Sequence, residues 1–300
     1  MTTVGMLGLG IMGSAMSGHL LARGFDVVGY DPLPERAAAL SAAGGHAEQS
    51  VEVLSRRCDF AITSLPSASA ALDVCARVAT SGPAGLTVVE TSTLPMDVKQ
   101  QCRRLLADAR MTLLDCPLSG TGAQALERDL VVLGSGDEDA FEAVRPVLEA
   151  FARSVRYLGE FGRGSTMKFV ANLLVAIHNV ATAEAFALGE RAGLDPAQIL
   201  DVIQDGAGSS VIFEKRGLLM ARRQYQPPSA KLSMFLKDVD VITAYAEELD
   251  LPTPMLSATR DLYRRAIDHG LADDDAAALL TVMGSDRIGS HHTPAQEDKA

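Results

Sequence analysis

The 300-residue sequence predicts a doubly wound α/β domain followed by an all-helical domain. Three observations lead there. Strand-like and helix-like segments alternate through residues 1–115, the pattern of a mostly parallel sheet with helices on both faces. The first strand-like segment runs straight into a G-x-G-x-x-G turn at Gly8, Gly10 and Gly13. After Gly162-Arg163-Gly164 the alternation stops, and apolar residues recur at helical spacing instead.

The elements follow in order. A strand begins at residue 3 and ends at the glycine turn; a helix over 14–23 and a strand over 26–30, ending at Asp31, come next. Residues 58–65 read as a strand, 70–79 as a helix and Gly82-Pro83 as a turn. Strands over 86–90, 111–115 and 130–134, with a helix over 97–109, complete the alternating part. Residues 165–192 contain no breaker except Gly189 and are rich in apolar side chains such as Met167, Phe169, Leu173, Ile177 and Val180. That predicts one long buried helix linking the domains. Helices over 196–204, 213–220, 231–249, 256–268 and 274–282 follow. The expected division is a dinucleotide-binding domain over 1–162, a helical domain over 163–287 and a polar, disordered tail over 288–300. His291-His292 then mark a solvated end, not a metal site.

Composition narrows the function. Hydrophobic residues make up 47% of the chain, enough for a large core. A net charge of −11 argues against nucleic acid and against an anionic membrane surface as partners. The longest apolar stretch, 169–188, is interrupted by Asn172, His178, Asn179 and Glu184, so it reads as a core helix and not a membrane span. No charged segment precedes the first strand, so a secretory signal is not expected. Cys58, Cys75, Cys102 and Cys116 are widely spaced and form no metal pattern; they read as buried thiols in a reducing cytoplasm.

The glycine turn has a specific physical reading. Gly8 permits the tight turn, Gly10 lets the backbone approach a pyrophosphate, and Gly13 lets the helix pack close to the strand. The helix N-terminus then faces the phosphates. Asp31, 23 residues after Gly8, is placed to accept hydrogen bonds from the adenosine ribose. A carboxylate there repels a 2′-phosphate, Pro32 follows it, and Arg36 falls on the next helix, so NAD is expected over NADP.

In doubly wound sheets, ligands gather beyond the carboxyl ends of the strands. Those ends are Leu65-Pro66, Thr91-Ser92-Thr93 and the segment 117–122. The helical part adds Lys168 and Asn172, four apart and therefore on one helix face. Lys168 is expected in the first turn, where the positive helix end disfavours a cation and lowers its proton affinity. That suits a proton donor and acceptor for an alcohol–carbonyl pair. The plainer alternative is a snorkelling lysine at an exposed helix start.

At these residues the chain resembles the β-hydroxyacid dehydrogenase family, which includes 3-hydroxyisobutyrate dehydrogenase and tartronate semialdehyde reductase. The matching motifs are G-L-G-x-M-G at 8–13, D-x-P-x-S-G at 115–120, G-x-G-x-x-x-K-x-x-x-N at 162–172 and the pair Lys237-Asp238. The resemblance spans residues 4 to 283. It implies a Rossmann domain followed by an all-α domain of the 6-phosphogluconate dehydrogenase type, and hydride transfer between NAD and a small 3-hydroxy acid. It further implies that Lys168 is the general acid/base and that Asn172 hydrogen-bonds the lysine or the substrate oxygen. Ser119, with the amides of Gly120 and Thr121, would hold the substrate carboxylate, and Lys237 would lie beside the nicotinamide and substrate. Gly8, Leu9, Gly10, Ile11, Met12 and Gly13, with Leu65, Pro66 and Thr93, would contact the cofactor.

Some positions depart from the family pattern. Thr121 stands where a second glycine is usual, and Leu173 where a second asparagine is usual. The segment 206–216 is closer to the L-threonate dehydrogenase version, which would let Ser209, Ser210 and Phe213 read the substrate's distal end. An imine reductase on the same fold is the alternative enzyme; Lys168 counts against it, because those relatives usually carry Asp or Tyr there. A phosphogluconate dehydrogenase would be longer and richer in phosphate-binding bases. A non-catalytic dinucleotide-binding module is the alternative from another class. The long apolar helix suggests a homodimer or homotetramer.

Overall fold

The computed structural model describes residues 1–283; the expected tail and its two histidines lie outside the described residues. A six-stranded parallel sheet forms from β1 (Thr3–Leu7), β2 (Asp26–Tyr30), β3 (His46–Ala47), β4 (Phe60–Thr63), β5 (Thr87–Glu90) and β6 (Thr112–Asp115). Its order is β3-β2-β1-β4-β5-β6, the doubly wound arrangement with the reversal beside β1. A second sheet joins β7 (Leu118–Ser119), β8 (Val131–Gly134) and β9 (Ser154–Tyr157). A single bridge between Asp115 and Ser135 ties β6 to the end of β8.

Alternation along each strand builds two cores. Val4, Met6, Ile62, Val89 and Leu114 face helices α1 (Ile11–Ala22) and α7 (Glu138–Phe151), which supply Met16, Leu20, Phe141 and Phe151. Their neighbours Leu7, Ala61, Val88 and Leu113 face the opposite side. There α3 (Val51–Ser55), α4 (Ala68–Ser81) and α5 (Met96–Asp108) supply Leu54, Val78 and Leu106. Each fully buried aliphatic side chain contributes about 1.5–3 kcal/mol, so both faces are needed to hold a sheet that carries no solvated side. Helix α2 (Pro34–Ala42) is the helix expected to carry Arg36; α6 (Gly122–Leu126) was not foreseen from periodicity, nor were α3, α7 and the short strands β3, β7 and β9.

Helix α8 spans Arg163–Arg191, 29 residues. It is the one described helix long and apolar enough to cross a membrane. Compact packing divides the chain inside this helix, after Asn172. The first unit is Met1–Asn172 with Val241–Leu251; the second is Leu173–Asp240 with the described residues from Pro252 onward. The division falls there because the first turns of α8 are bonded to β6 and β8, as set out below.

The second unit contains α9 (Pro196–Gln204), α10 (Val211–Arg222), the first half of α11 (Leu232–Glu248), α12 (Pro254–Asp268) and α13 (Leu279–Val282). Arg216 and Asp275 form a buried ion pair at 2.7 Å, and Asn179 donates to the Tyr263 hydroxyl at 2.9 Å. Ser210 caps α10, its Oγ accepting from the Phe213 N–H at 2.9 Å, and Phe213 stacks on Phe186 with ring centres 5.8 Å apart. This corrects the substrate-reading role expected of Ser210 and Phe213: the cap uses the hydroxyl, and Phe213 is core.

The four cysteines are free and buried. Burial pushes the Cys58 thiol up to about 12, which keeps it protonated and inert.

Candidate active site

The glycine turn closes between β1 and α1. Gly8 has φ +99°, and a Cβ there would lie 2.3 Å from the Ser64 carbonyl oxygen. A Cβ on Gly13 would lie 1.9 Å from the Gly8 carbonyl oxygen. Both positions therefore exclude any side chain. Gly10 differs: the only atom near its Cβ position is Arg36 Nη1, at 3.8 Å. Gly10 is also the N-cap of α1, and no side chain caps that end. Open space over the backbone and an uncapped positive helix end fit a pyrophosphate. Leu9 is buried and Met12 packs on the core, so these two offer backbone only, whereas Ile11 is 74% exposed. A Cβ on Gly122 would lie 2.6 Å from Ile11, which brings the glycine turn against the segment that carries Ser119.

Asp31 ends β2 with its side chain 3% exposed. Its carboxylate accepts from the Leu9 N–H at 2.8 Å, from the Leu33 N–H at 3.0 Å and from Arg36 Nη1 at 3.2 Å. Arg36 lies on the next helix, as the sequence predicts, and α2 turns it back onto Asp31.

The next strand ends lie beside one another. The Leu65 N–H donates to Ser92 Oγ at 2.9 Å, and the Ser92 N–H donates to Glu90 Oε1 at 2.7 Å. These bonds hold Leu65-Pro66 against the loop with half-buried Thr93. Ser119 lies on β7, paired with Val131. Thr121 caps α6: its N–H donates to Gln124 Oε1 at 3.1 Å, and its Oγ1 accepts from the Gln124 N–H at 3.4 Å. The hydroxyl that departs from the family pattern thus serves the helix, and the Thr121 amide is engaged by Gln124.

The start of α8 is built from distant residues. A Cβ on Gly164 would lie 2.2 Å from the Leu133 carbonyl oxygen and 2.7 Å from that of Asp115. The helix can reach the strand ends only with glycine there. The Asp115 carboxylate accepts from the Ser165 N–H at 2.8 Å and from Ser165 Oγ at 2.7 Å, and Ser135 Oγ accepts from the Gly164 N–H at 2.9 Å. Satisfying these donors lets the helix begin at Arg163. Lys168 is therefore its sixth residue, in the second turn and not the first. The helix-end field falls off within one turn, so the electrostatic expectation for Lys168 loses its basis. Lys168 is 8% exposed and Asn172 9%, four residues apart on one helix face. Phe169 packs on Tyr245 at 5.1 Å between ring centres, and Thr166 bonds the Tyr245 hydroxyl at 3.1 Å, fixing the helix on its other flank.

Three further residues were not singled out as functional. Lys99, on α5, places Nζ 2.6 Å from Glu90 Oε2 and 2.6 Å from Asp115 Oδ1, with all three side chains at most 1% exposed. Burial works against its charge, but the Asp115 and Glu90 carboxylates outweigh that, and its pKa lies above the ordinary lysine value. The only sequence signal was the placement of Glu90 and Asp115 at the last positions of two paired strands. Lys237 belongs to the second unit, on α11, 45% exposed and 3.2 Å from Asp238. Among the described residues no cluster of His, Cys, Asp and Glu suits a metal ion.

Comparison with known proteins agrees with this architecture. Residues 3–159 match the family model for the NAD binding domain of 6-phosphogluconate dehydrogenase. Residues 162–283 match the model for the NAD-binding part of NADP-dependent 3-hydroxyisobutyrate dehydrogenase. L-threonate dehydrogenase of Cupriavidus necator is 33% identical over 284 residues, covering 93% of this chain and 95% of its own. Glyoxylate/succinic semialdehyde reductase 2 of Arabidopsis thaliana, a chloroplastic protein, is 30% identical over 284 residues, covering 94% and 79%. The solved structure of Mycobacterium tuberculosis 3-hydroxyisobutyrate dehydrogenase with L-serine superposes with a TM-score of 0.88 at 28% identity, covering 95% and 100%. These matches span both halves of the chain, which belongs to the β-hydroxyacid dehydrogenase family of NAD(P)-dependent oxidoreductases.

Proposed function

We propose that the chain interconverts a small 3-hydroxy acid and its carbonyl form, with NAD as the preferred cofactor and Lys168 as general acid/base. The observation that carries this reading is a buried lysine on a helix bonded to the carboxyl end of the same sheet that ends in an open glycine turn. The nicotinamide cofactor, when bound, accepts or supplies the hydride. The protein's residues do the rest. The glycine turn and the start of α1 hold the pyrophosphate, and Leu65, Pro66 and Thr93 flank the ribose and nicotinamide. Ser119 and the Gly120 amide hold the substrate carboxylate away from the reacting carbon, which fixes the hydroxyl in one orientation. Lys168 takes the hydroxyl proton on oxidation and returns it to the oxygen on reduction, with Asn172 steadying the amine or that oxygen.

Asp31 supports NAD, because its carboxylate would repel a 2′-phosphate, and Arg36, 3.2 Å away, moderates that preference. Lys168 stands against the imine reductase alternative. Cytoplasmic location, with four buried thiols, and a homodimer or homotetramer belong to the same proposal. The test is a panel of hydroxy acids that includes L-threonate and 3-hydroxyisobutyrate, and succinic semialdehyde in the reductive direction, each with NAD and NADP cofactors. Turnover of one acid, faster with NAD, is expected; tight cofactor binding without turnover of any acid would instead indicate a non-catalytic module.

A further inference from the structure

Lys99 has a wholly buried charge, yet it plays no part in the chemistry above. Its surroundings form one continuous chain. From the Leu65 N–H, hydrogen bonds run through Ser92 to Glu90, an ion pair joins Glu90 to Lys99, and hydrogen bonds continue to Asp115 and finally to Ser165 in the first turn of α8. The chain starts at a loop proposed to flank the nicotinamide and ends three residues before Lys168. Lys99 is the cation at its centre.

Stability alone is a poor account of this cluster. Taking three charges out of water costs several kcal/mol each, and buried ion pairs can often be replaced by apolar side chains without loss. Asp115 also has two duties at once: it pairs with Lys99 and it stands in as the helix cap by accepting both Ser165 donors. Glu90 and Asp115 are register partners on adjacent strands. Without the lysine, two buried carboxylates side by side could not both stay ionised. One would take a proton, and Asp115 could no longer serve as a fully charged acceptor for the helix start.

We propose that Lys99 is a positioning residue: by bridging Glu90 and Asp115 it holds the first turn of α8, and with it the Lys168 amine, in register with the nicotinamide-side loop. The proposal rests on the reading of Lys168 as the acid/base. A displacement of about 1 Å at a reacting group can cost on the order of 100-fold in rate.

The experiment uses the full chain with three variants: Lys99→Met, the charge-compensated Lys99→Met/Glu90→Gln, and Ser165→Ala. Hydrogen exchange is followed by mass spectrometry, and kcat, KM and nucleotide affinity are measured beside Lys168→Ala. In Lys99→Met, amides of residues 163–168 should exchange at least tenfold faster while the central strands stay unchanged. kcat should fall at least tenfold, with KM and nucleotide affinity within threefold, and its pH profile should gain a new titration. The double variant, which leaves Asp115 as the lone carboxylate, should lose that titration and recover most of both effects. Unchanged exchange over 163–168, exchange raised throughout the sheet, or no recovery in the double variant overturns the proposal. Should Lys99→Met fail to fold, Ser165→Ala decides: kcat lowered threefold or more at constant KM supports it, and unchanged kcat and exchange overturn it. A Lys168→Ala protein with full activity removes the underlying mechanism instead. The exchange arm gives its answer before any acid substrate is found.

Discussion

The nucleotide turn and the mount of Lys168 sit at the same edge of one sheet but are built in opposite ways. The turn is local: Gly8, Gly10, Gly13 and Asp31 lie within 24 residues of one another, and each does its work through its own backbone or a neighbour's. The mount draws Glu90, Lys99, Asp115, Ser135, Gly164 and Ser165 from five separate stretches. A local site tolerates change elsewhere in the chain. An assembled one depends on strands, helices and a buried cation arriving together.

Lys168→Ala should give the largest effect and separate the two regions most cleanly. Loss of general acid/base help is expected to lower kcat by about 100- to 10,000-fold, with nucleotide affinity by calorimetry nearly unchanged. Full activity would remove the amine from the mechanism. Next come two glycines, one from each region. Gly13→Ala and Gly164→Ala both force a Cβ to within 2.2 Å of a backbone oxygen. Overpacking of this kind typically costs about 1–3 kcal/mol. The two should nevertheless fail differently: Gly13→Ala should abolish nucleotide binding, whereas Gly164→Ala should keep binding and lose turnover. Equal damage to both functions in both variants would erase the distinction between a local and an assembled site.

The acid and base at the adenosine end should produce a smaller effect. Asp31→Ala is expected to shift the NAD-to-NADP preference severalfold toward NADP, and Arg36→Ala to shift it toward NAD, read from kcat/KM with each cofactor. An unmoved ratio in both would detach the pair from cofactor choice. The smallest effect lies away from either site and serves as a control. Arg77, 2.7 Å from Glu52, holds that carboxyl down from about 4.5 to about 2. A depressed acid pKa contributes stability above the ordinary value and loses it as pH falls toward 2. Glu52→Gln should therefore flatten the fall of Tm between pH 4.5 and pH 2 slightly, while leaving kcat unchanged at neutral pH.

Much of this was legible in advance, and unevenly so. The parallel sheet, the turn and Asp31 follow from strand patterning and from glycine spacing that has few other uses. The strand β2 and helix α9 coincide with the expected bounds, and β5 and β6 lie within one residue of theirs. Short elements such as β3, β7 and α6 were hidden, because two to five residues carry too little periodicity. Arg36 lies on the next helix as expected, but its contact with Asp31 was not legible, since linear distance conceals a helix that folds back on the acid. Thr121 showed an unusual residue without revealing that its hydroxyl is spent on a cap.

The sequence alone determined the alternation of strands and helices up to α8, the glycines a phosphate backbone needs, and the presence of a lysine and an asparagine on one helix face. These are matters of local spacing and of steric limits on single residues. Only the tertiary structure decided where α8 begins, which residue neutralises Asp31, and that a buried lysine joins two strand ends beneath the proposed acid/base. Those facts depend on side chains far apart in the chain meeting where water is excluded, and ionic and hydrogen-bond energies there are set by the meeting, not by the residues taken singly.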